Sequence, residues 1–126
     1  MLSGFNVFAN IGVKNMDMAK QFYEGKLGLT PKVAADEGGV SYQCGGGTEL
    51  FVYETEYAGT NQATTATWSV SSIESVVDDL KSKGISFEQY EIPNAAREGD
   101  VHVMANMKAA WFKDPDGNIL CLHQAG

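Results

Sequence analysis

The sequence predicts an α+β fold: two βαβββ modules forming a cup-shaped mixed sheet, with one helix packed outside each module. Three observations carry this. The two halves repeat one order of patterns, strand, helix, three strands, at a near-constant offset. Each half holds one apolar stripe at helical spacing that stops at a glycine. The last strands flank Asp114-Pro115-Asp116-Gly117-Asn118, in which proline presets the first corner of a turn and glycine permits positive φ.

The elements follow in order. Phe5 to Val13 is strand-like, with Ala9, Ile11 and Val13 on one face and Phe8, Asn10 and Gly12 on the other. Asn15 or Asp17 caps a helix whose stripe is Met16, Ala19, Phe22, Tyr23 and Leu27, and Gly28 ends it in a left-handed turn. Three short strands are expected at Pro31–Asp36, Val40–Cys44 and Glu49–Glu54, the first two joined at Gly38-Gly39. Tyr57 to Gln62 is a small, polar connection.

Thr64 to Val70 opens the second half as a β-branched and aromatic strand. Ser71 and Glu74 make a capping-box pattern before the stripe Ile73, Val76, Val77 and Leu80, which Gly84 stops. Strands are expected at Ile85–Ile92, Val101–Ala105, Lys108–Lys113 and Ile119–Gln124. Pro93 to Gly99 reads as a loop, and Asn94 to Asn106 is irregular enough to be a lid. Val13, Met16 and Gly28 correspond to Val70, Ile73 and Gly84. This places the modules at about residues 1–57 and 63–126 of a single domain.

At 126 residues the chain can bury roughly two-thirds of its unfolded surface and needs no metal or disulfide to fold. The net charge of −7, with no basic cluster, argues against nucleic acid and mildly favours cationic ligands. Cys44 and Cys121 fall inside strands and read as free thiols. No segment approaches a membrane span or a signal peptide, so the expected setting is the cytoplasm, away from membranes.

Two motifs go further. F-Y-E-G-K-L-G-L at Phe22–Leu29 and W-F-K-D-P-D-G-N-I-L at Trp111–Leu120, within a duplicated βαβββ pattern, resemble the vicinal oxygen chelate superfamily. That group includes glyoxalase I, extradiol dioxygenases, fosfomycin-resistance enzymes and bleomycin-resistance proteins. The resemblance spans nearly the whole chain and identifies a scaffold, which hosts several chemistries. It implies a homodimer.

In metal-using members the resemblance implies ligands at equivalent places on the first and last strands of each module. In this sequence those places hold Phe8, Phe51, Thr65 and Cys121. Phenyl groups offer no lone pair and threonine is a poor ligand for zinc, nickel or iron, so no metal and no other cofactor is expected. A two-residue slip in register would bring in Glu49 and His123.

The expected cup face carries Phe8, Asn10, Glu49, Phe51, Tyr53, Thr65, Thr67, Ser69, Cys121 and His123, a mixture suited to a small organic molecule. The first functional expectation is therefore a metal-free small-molecule-binding protein of the glyoxalase/bleomycin-resistance type. The second is a lyase or isomerase using His123, Cys121 or Glu49 as acid, base or nucleophile. A third is a filled cup used for protein contact. His102 reads as a surface residue, and Trp68 and Trp111 as core or subunit contacts.

Overall fold

The computed structural model describes residues 1–32 and 39–126. The fold is the expected α+β one, with two helices and two mixed sheets. The first sheet comprises β1 (Ala9–Val13), β2 (Thr30–Pro31), β3 (Gly39–Gln43) and β4 (Glu49–Glu54), in the order β1-β4-β3-β2. The second comprises β5 (Thr64–Ser69), β6 (Phe87–Glu88), β7 (Ala96–Glu98), β8 (Val101–Met104), β9 (Met107–Lys113) and β10 (Ile119–Ala125). Its order is β5-β10-β9-β8-β7, with β6 paired to β9 beyond the end of β8. In both sheets the first strand runs parallel to the last, β1 with β4 and β5 with β10. The sheets meet along their edge strands β1 and β5, which form no ladder with each other.

Strand alternation sends one face of each sheet into a single shared core. Ile11, Val13, Leu50 and Val52 enter it from the first sheet, and Ala110, Phe112, Leu120 and Leu122 from the second. Helix α1 (Met16–Lys20) starts at Asn15, whose side chain accepts the Met18 N–H at 3.0 Å. It then widens into π-type turns over Gln21–Lys26, with the Leu27 N–H reaching Phe22 O at 3.0 Å. The wider turn points consecutive residues, Phe22 and Tyr23, into the core together. Gly28 follows at φ +72°, in the left-handed conformation its position called for.

Helix α2 (Ile73–Ser82) buries Ile73, Val77 and Leu80 and is followed by Gly84 at φ +90°. Its start corrects the capping-box expectation. Ser72, not Ser71, precedes the helix, and no side chain on its own turn caps it. Gln124 from β10 accepts the Ile73 N–H at 2.7 Å, which leaves Glu74 to pair with Lys108 at 2.8 Å.

Two further expectations change, and a third is left untested. The strand expected at Ile85–Ile92 shrinks to Phe87–Glu88: β8 already occupies the edge of β9 as far as Ala109, and β6 pairs only with Trp111 and Phe112 beyond it. The stretch from Asn94 to Asn106 is mostly a hairpin: β7 and β8 pair antiparallel around Gly99, so ladder bonds hold it where an irregular lid was expected. The strand expected at Pro31–Asp36 and the turn at Gly38 lie largely outside the described residues.

The β9–β10 turn joins the two halves. Asp114 is buried and accepts four hydrogen bonds: from the Tyr23 hydroxyl (2.7 Å), the Asp116 and Asn118 backbone N–H groups (2.9 Å each) and Asn118 Nδ2 (2.8 Å). Asn118 Nδ2 also donates to Gly12 O at 2.8 Å. The D-P-D-G-N motif is thus a clamp from the second sheet onto α1 and β1.

Candidate functional site

The expected cup residues lie on the sheet faces opposite the core. On the first sheet, Asn10 sits beside Phe51 in the β1–β4 register, and Phe51 stacks on Tyr53 with centroids 5.8 Å apart and planes 15° from parallel. Glu49 shares that face, but its carboxylate is engaged, by the Ser41 hydroxyl at 2.7 Å and Lys32 Nζ at 2.9 Å. Both contacts hold its carboxyl below the usual range.

On the second sheet Cys121 pairs with Thr67, and His123 with Ser69. The β5–β10 register shifts between Ile119 and Leu120, so Thr65 is an unmatched bulge residue whose hydroxyl is buried without a partner among the described residues. Cys121 is 5% exposed, and burial pushes its thiol up. Cys44 is half-buried and beside a cavity. An aromatic disulfide reagent is therefore expected to label one thiol, Cys44, in the native protein and both in denaturant. Equal native rates for Cys44→Ser and Cys121→Ser would contradict the burial of Cys121.

Two cavities flank these faces. The first, about 400 Å³, opens where β1 and β5 meet, and brings Phe8 and Glu49 of the first module together with Thr67 of the second. The second, about 770 Å³, lies over the second sheet between the residue 59–64 connection and the segment after β6. Its walls are Trp111, Tyr90, Ile92 and Ile119, with Lys113 the one charged lining residue. Asn10, Phe51, Tyr53, Thr65, Cys121 and His123 line neither cavity.

The aromatic wall of the second cavity was not anticipated. Trp111 was expected in the core or at a subunit contact, yet its neighbours Ala110 and Phe112 face the core and so turn it outward. The β9–β10 register places it directly across from Cys121. Counting back through the terminal hairpin from Cys121 would have found it. The bulge was not legible, and it turns Thr64 so that its hydroxyl accepts Trp111 Nε1–H at 3.2 Å. Behind Trp111 lies His102, which is fully buried rather than on the surface. Its Nε2 accepts the Tyr90 N–H at 3.0 Å, and its Nδ1 has no partner among the described residues.

Two modules that share one core and leave an open face on each sheet define a two-module α+β scaffold. The chain belongs to the Glyoxalase/Bleomycin resistance protein/Dioxygenase superfamily, whose family model matches residues 4–122. It is similar in structure to a glyoxalase/bleomycin resistance protein from Catenulispora acidiphila, at 22% identity and TM-score 0.71, over 97% of this chain and 99% of that one. TnmS3, an antibiotic binding protein from Streptomyces sp. CB03234, matches at 18% identity and TM-score 0.66, over 97% and 98%. The fosfomycin resistance protein FosX from Listeria monocytogenes matches at 15% identity and TM-score 0.67, over 100% and 94%. At these identities the likeness is one of fold. No curated protein matches the chain. No described helix is long and apolar enough to cross a membrane.

The residues at the places where the resemblance implies metal ligands do not fit a divalent ion. Phe8 and Phe51 have no lone pair to give, and the Cys121 environment favours the neutral thiol over the thiolate that metals take. Among the described residues no three His, Cys, Asp or Glu side chains converge.

Proposed function

We propose that this chain is a metal-free small-molecule-binding protein of the sequestering type, working in the cytoplasm. The observation that carries the reading is the second cavity. It has the volume of a ligand site and aromatic walls, and no His, Cys, Asp or Glu lines it. Such a surface suits an organic molecule. The antibiotic binding protein TnmS3, which shares the fold, supports the same direction.

In this reading the protein is a homodimer. Leu2, Phe5, Val7 and Phe8 are exposed together at the start of the chain, and an apolar group of that kind is suited to contact with a second copy. Pairing would set the first-sheet face of one copy, with Phe8, Asn10, Glu49, Phe51 and Tyr53, over the second-sheet face of the other, with Thr65, Thr67, Cys121 and His123. Each ligand site would then have two walls. The lyase or isomerase alternative has less support, because Glu49 is bound by Lys32 and Ser41 and Cys121 is buried.

The test is a panel of small organic molecules, read by thermal shift and by product analysis. The expected result is saturable stabilisation by some member of the panel with no turnover, in protein that elemental analysis finds free of stoichiometric zinc, nickel, manganese or iron. Turnover lost in His123→Ala, or a metal that survives dialysis, would overturn it.

A further inference from the structure

We propose that the cavity over the second sheet is a stacking site for a planar aromatic acid, its fused rings laid on Trp111 and its anionic group at the Lys113 ammonium. The inference rests on the binding-protein reading and adds the ligand's chemistry.

The first argument is the rigidity of Trp111. Its one donor is already spent on Thr64 Oγ1 at 3.2 Å, so the indole offers a ligand its π surface and no hydrogen bond. Two rings stand nearly perpendicular to it: Tyr90 with centroids 5.3 Å apart at 68°, and His102 at 5.0 Å and 81°. Edge-to-face contacts of this kind fix the ring plane. His102 is locked in turn by the Tyr90 backbone. A plate held at three points loses little freedom when a ligand stacks on it, which is the condition for a strong aromatic contact.

The second argument is shape. Beside the aromatic residues the lining includes Gly59, Ala63 and Gly117, which have little or no side chain. Lining of so little bulk beside the indole leaves room for a flat ligand to lie on it.

The third argument is charge. The chain carries −7 overall, which favours cations at its surface at large. Among the residues lining this cavity the one formal charge is positive, that of Lys113. Its nearest carboxylate, Glu88, stands off at 3.6 Å, too long for a hydrogen bond. The ammonium therefore keeps donors to offer an incoming anion. The site runs against the charge of the molecule that bears it, and it favours anionic over cationic ligands.

Three probes of one shape separate these terms: anthracene-2-carboxylate, anthracene-2-methanol and 2-(aminomethyl)anthracene, titrated calorimetrically into the full chain. The carboxylate is expected to bind tightest and the amine weakest. Trp111→Leu should weaken all of them about ten-fold or more, the loss of a stacking platform. Lys113→Gln should remove the carboxylate's advantage and leave the alcohol unchanged. Glu88→Gln frees the ammonium from its loose partner and should tighten the carboxylate alone, by about three-fold. A structural role for Lys113 or Glu88 would move all the probes together, so these two variants carry the test even where Trp111→Leu fails to fold.

Equal affinity for the three probes, preference for the amine, or a Trp111→Leu variant that binds as tightly as the parent would overturn the proposal. If no anthracene binds while other molecules of the wider panel stabilise the protein, the ligand class is wrong and the binding-protein reading stands. If nothing in that panel stabilises it, both fall.

Discussion

Asp114→Ala is expected to cost about 3–5 kcal/mol of folding stability, a large part of what a domain of this size possesses. The side chain is 5% exposed and accepts four hydrogen bonds. Truncation leaves the buried Tyr23 hydroxyl, the Asn118 amide and two turn N–H groups without their acceptor, and each orphaned donor costs about 1–3 kcal/mol where water cannot reach it. Tyr23→Phe removes a single donor and should cost about 1 kcal/mol. Combined with Asp114→Ala it should add almost nothing, since its partner is already gone. Urea unfolding of the two single variants and the double variant checks this. A single-variant loss at Asp114 below about 1 kcal/mol would show that the clamp does not hold the halves together.

The same pair sets an alkaline limit. Burial, and then the Asp114 carboxylate beside it, raise the Tyr23 phenol far above its ordinary value; burial and Glu24 raise that of Tyr42. Both tyrosines stay protonated when folded, whereas an unfolded tyrosine ionises near pH 10. Their contribution is therefore complete below about pH 10 and is lost as pH climbs beyond it. Tyr23→Phe should flatten that decline.

The sequence made the scaffold legible where local chemistry and tertiary packing agree. Asn15 caps α1, Gly28 and Gly84 take positive φ, and β4 spans Glu49–Glu54 as its alternation required. It was least informative where a distant segment met a local need. Gln124 takes the N–H group that Glu74 or Ser71 would have addressed, and β8 takes the β9 edge that a longer β6 would have filled. Neither exchange has a signature at the residues themselves. The site divides in the same way. The faces of Phe51 and Cys121 follow from period-two alternation against leucine and valine neighbours. The cavity wall depends on one bulge at Thr65 and on the backbone of Tyr90 reaching His102, and no periodicity announces either. Trp111 falls between the cases, since its face was legible from Ala110 and Phe112 but its role was not.

Phe112→Ala is the second large effect, again about 3–5 kcal/mol. Phe112 is 1% exposed and stands between Phe22 of the π-turned segment, at 6.4 Å between centroids, and Phe87 of β6, at 5.5 Å and 61°. With the Asp114–Tyr23 bond, it holds the second sheet to the first module's helical segment. Tyr23 beside Phe22 is pinned by Asp114, so α1 is not free to collapse into the space left behind. A residue whose surroundings cannot relax leaves its full cavity and lies at the costly end of large-to-small changes. Phe112→Leu keeps most of the volume and should cost about 1–2 kcal/mol. Because Trp111 and Phe112 point to opposite faces of β9, ligand stabilisation measured on Phe112→Leu should match the parent, while Trp111→Leu should lose it. A Phe112→Ala variant with the parent's urea midpoint would mean that the two modules do not share one core. That shared core is what anchors β9, the strand whose opposite side carries Trp111.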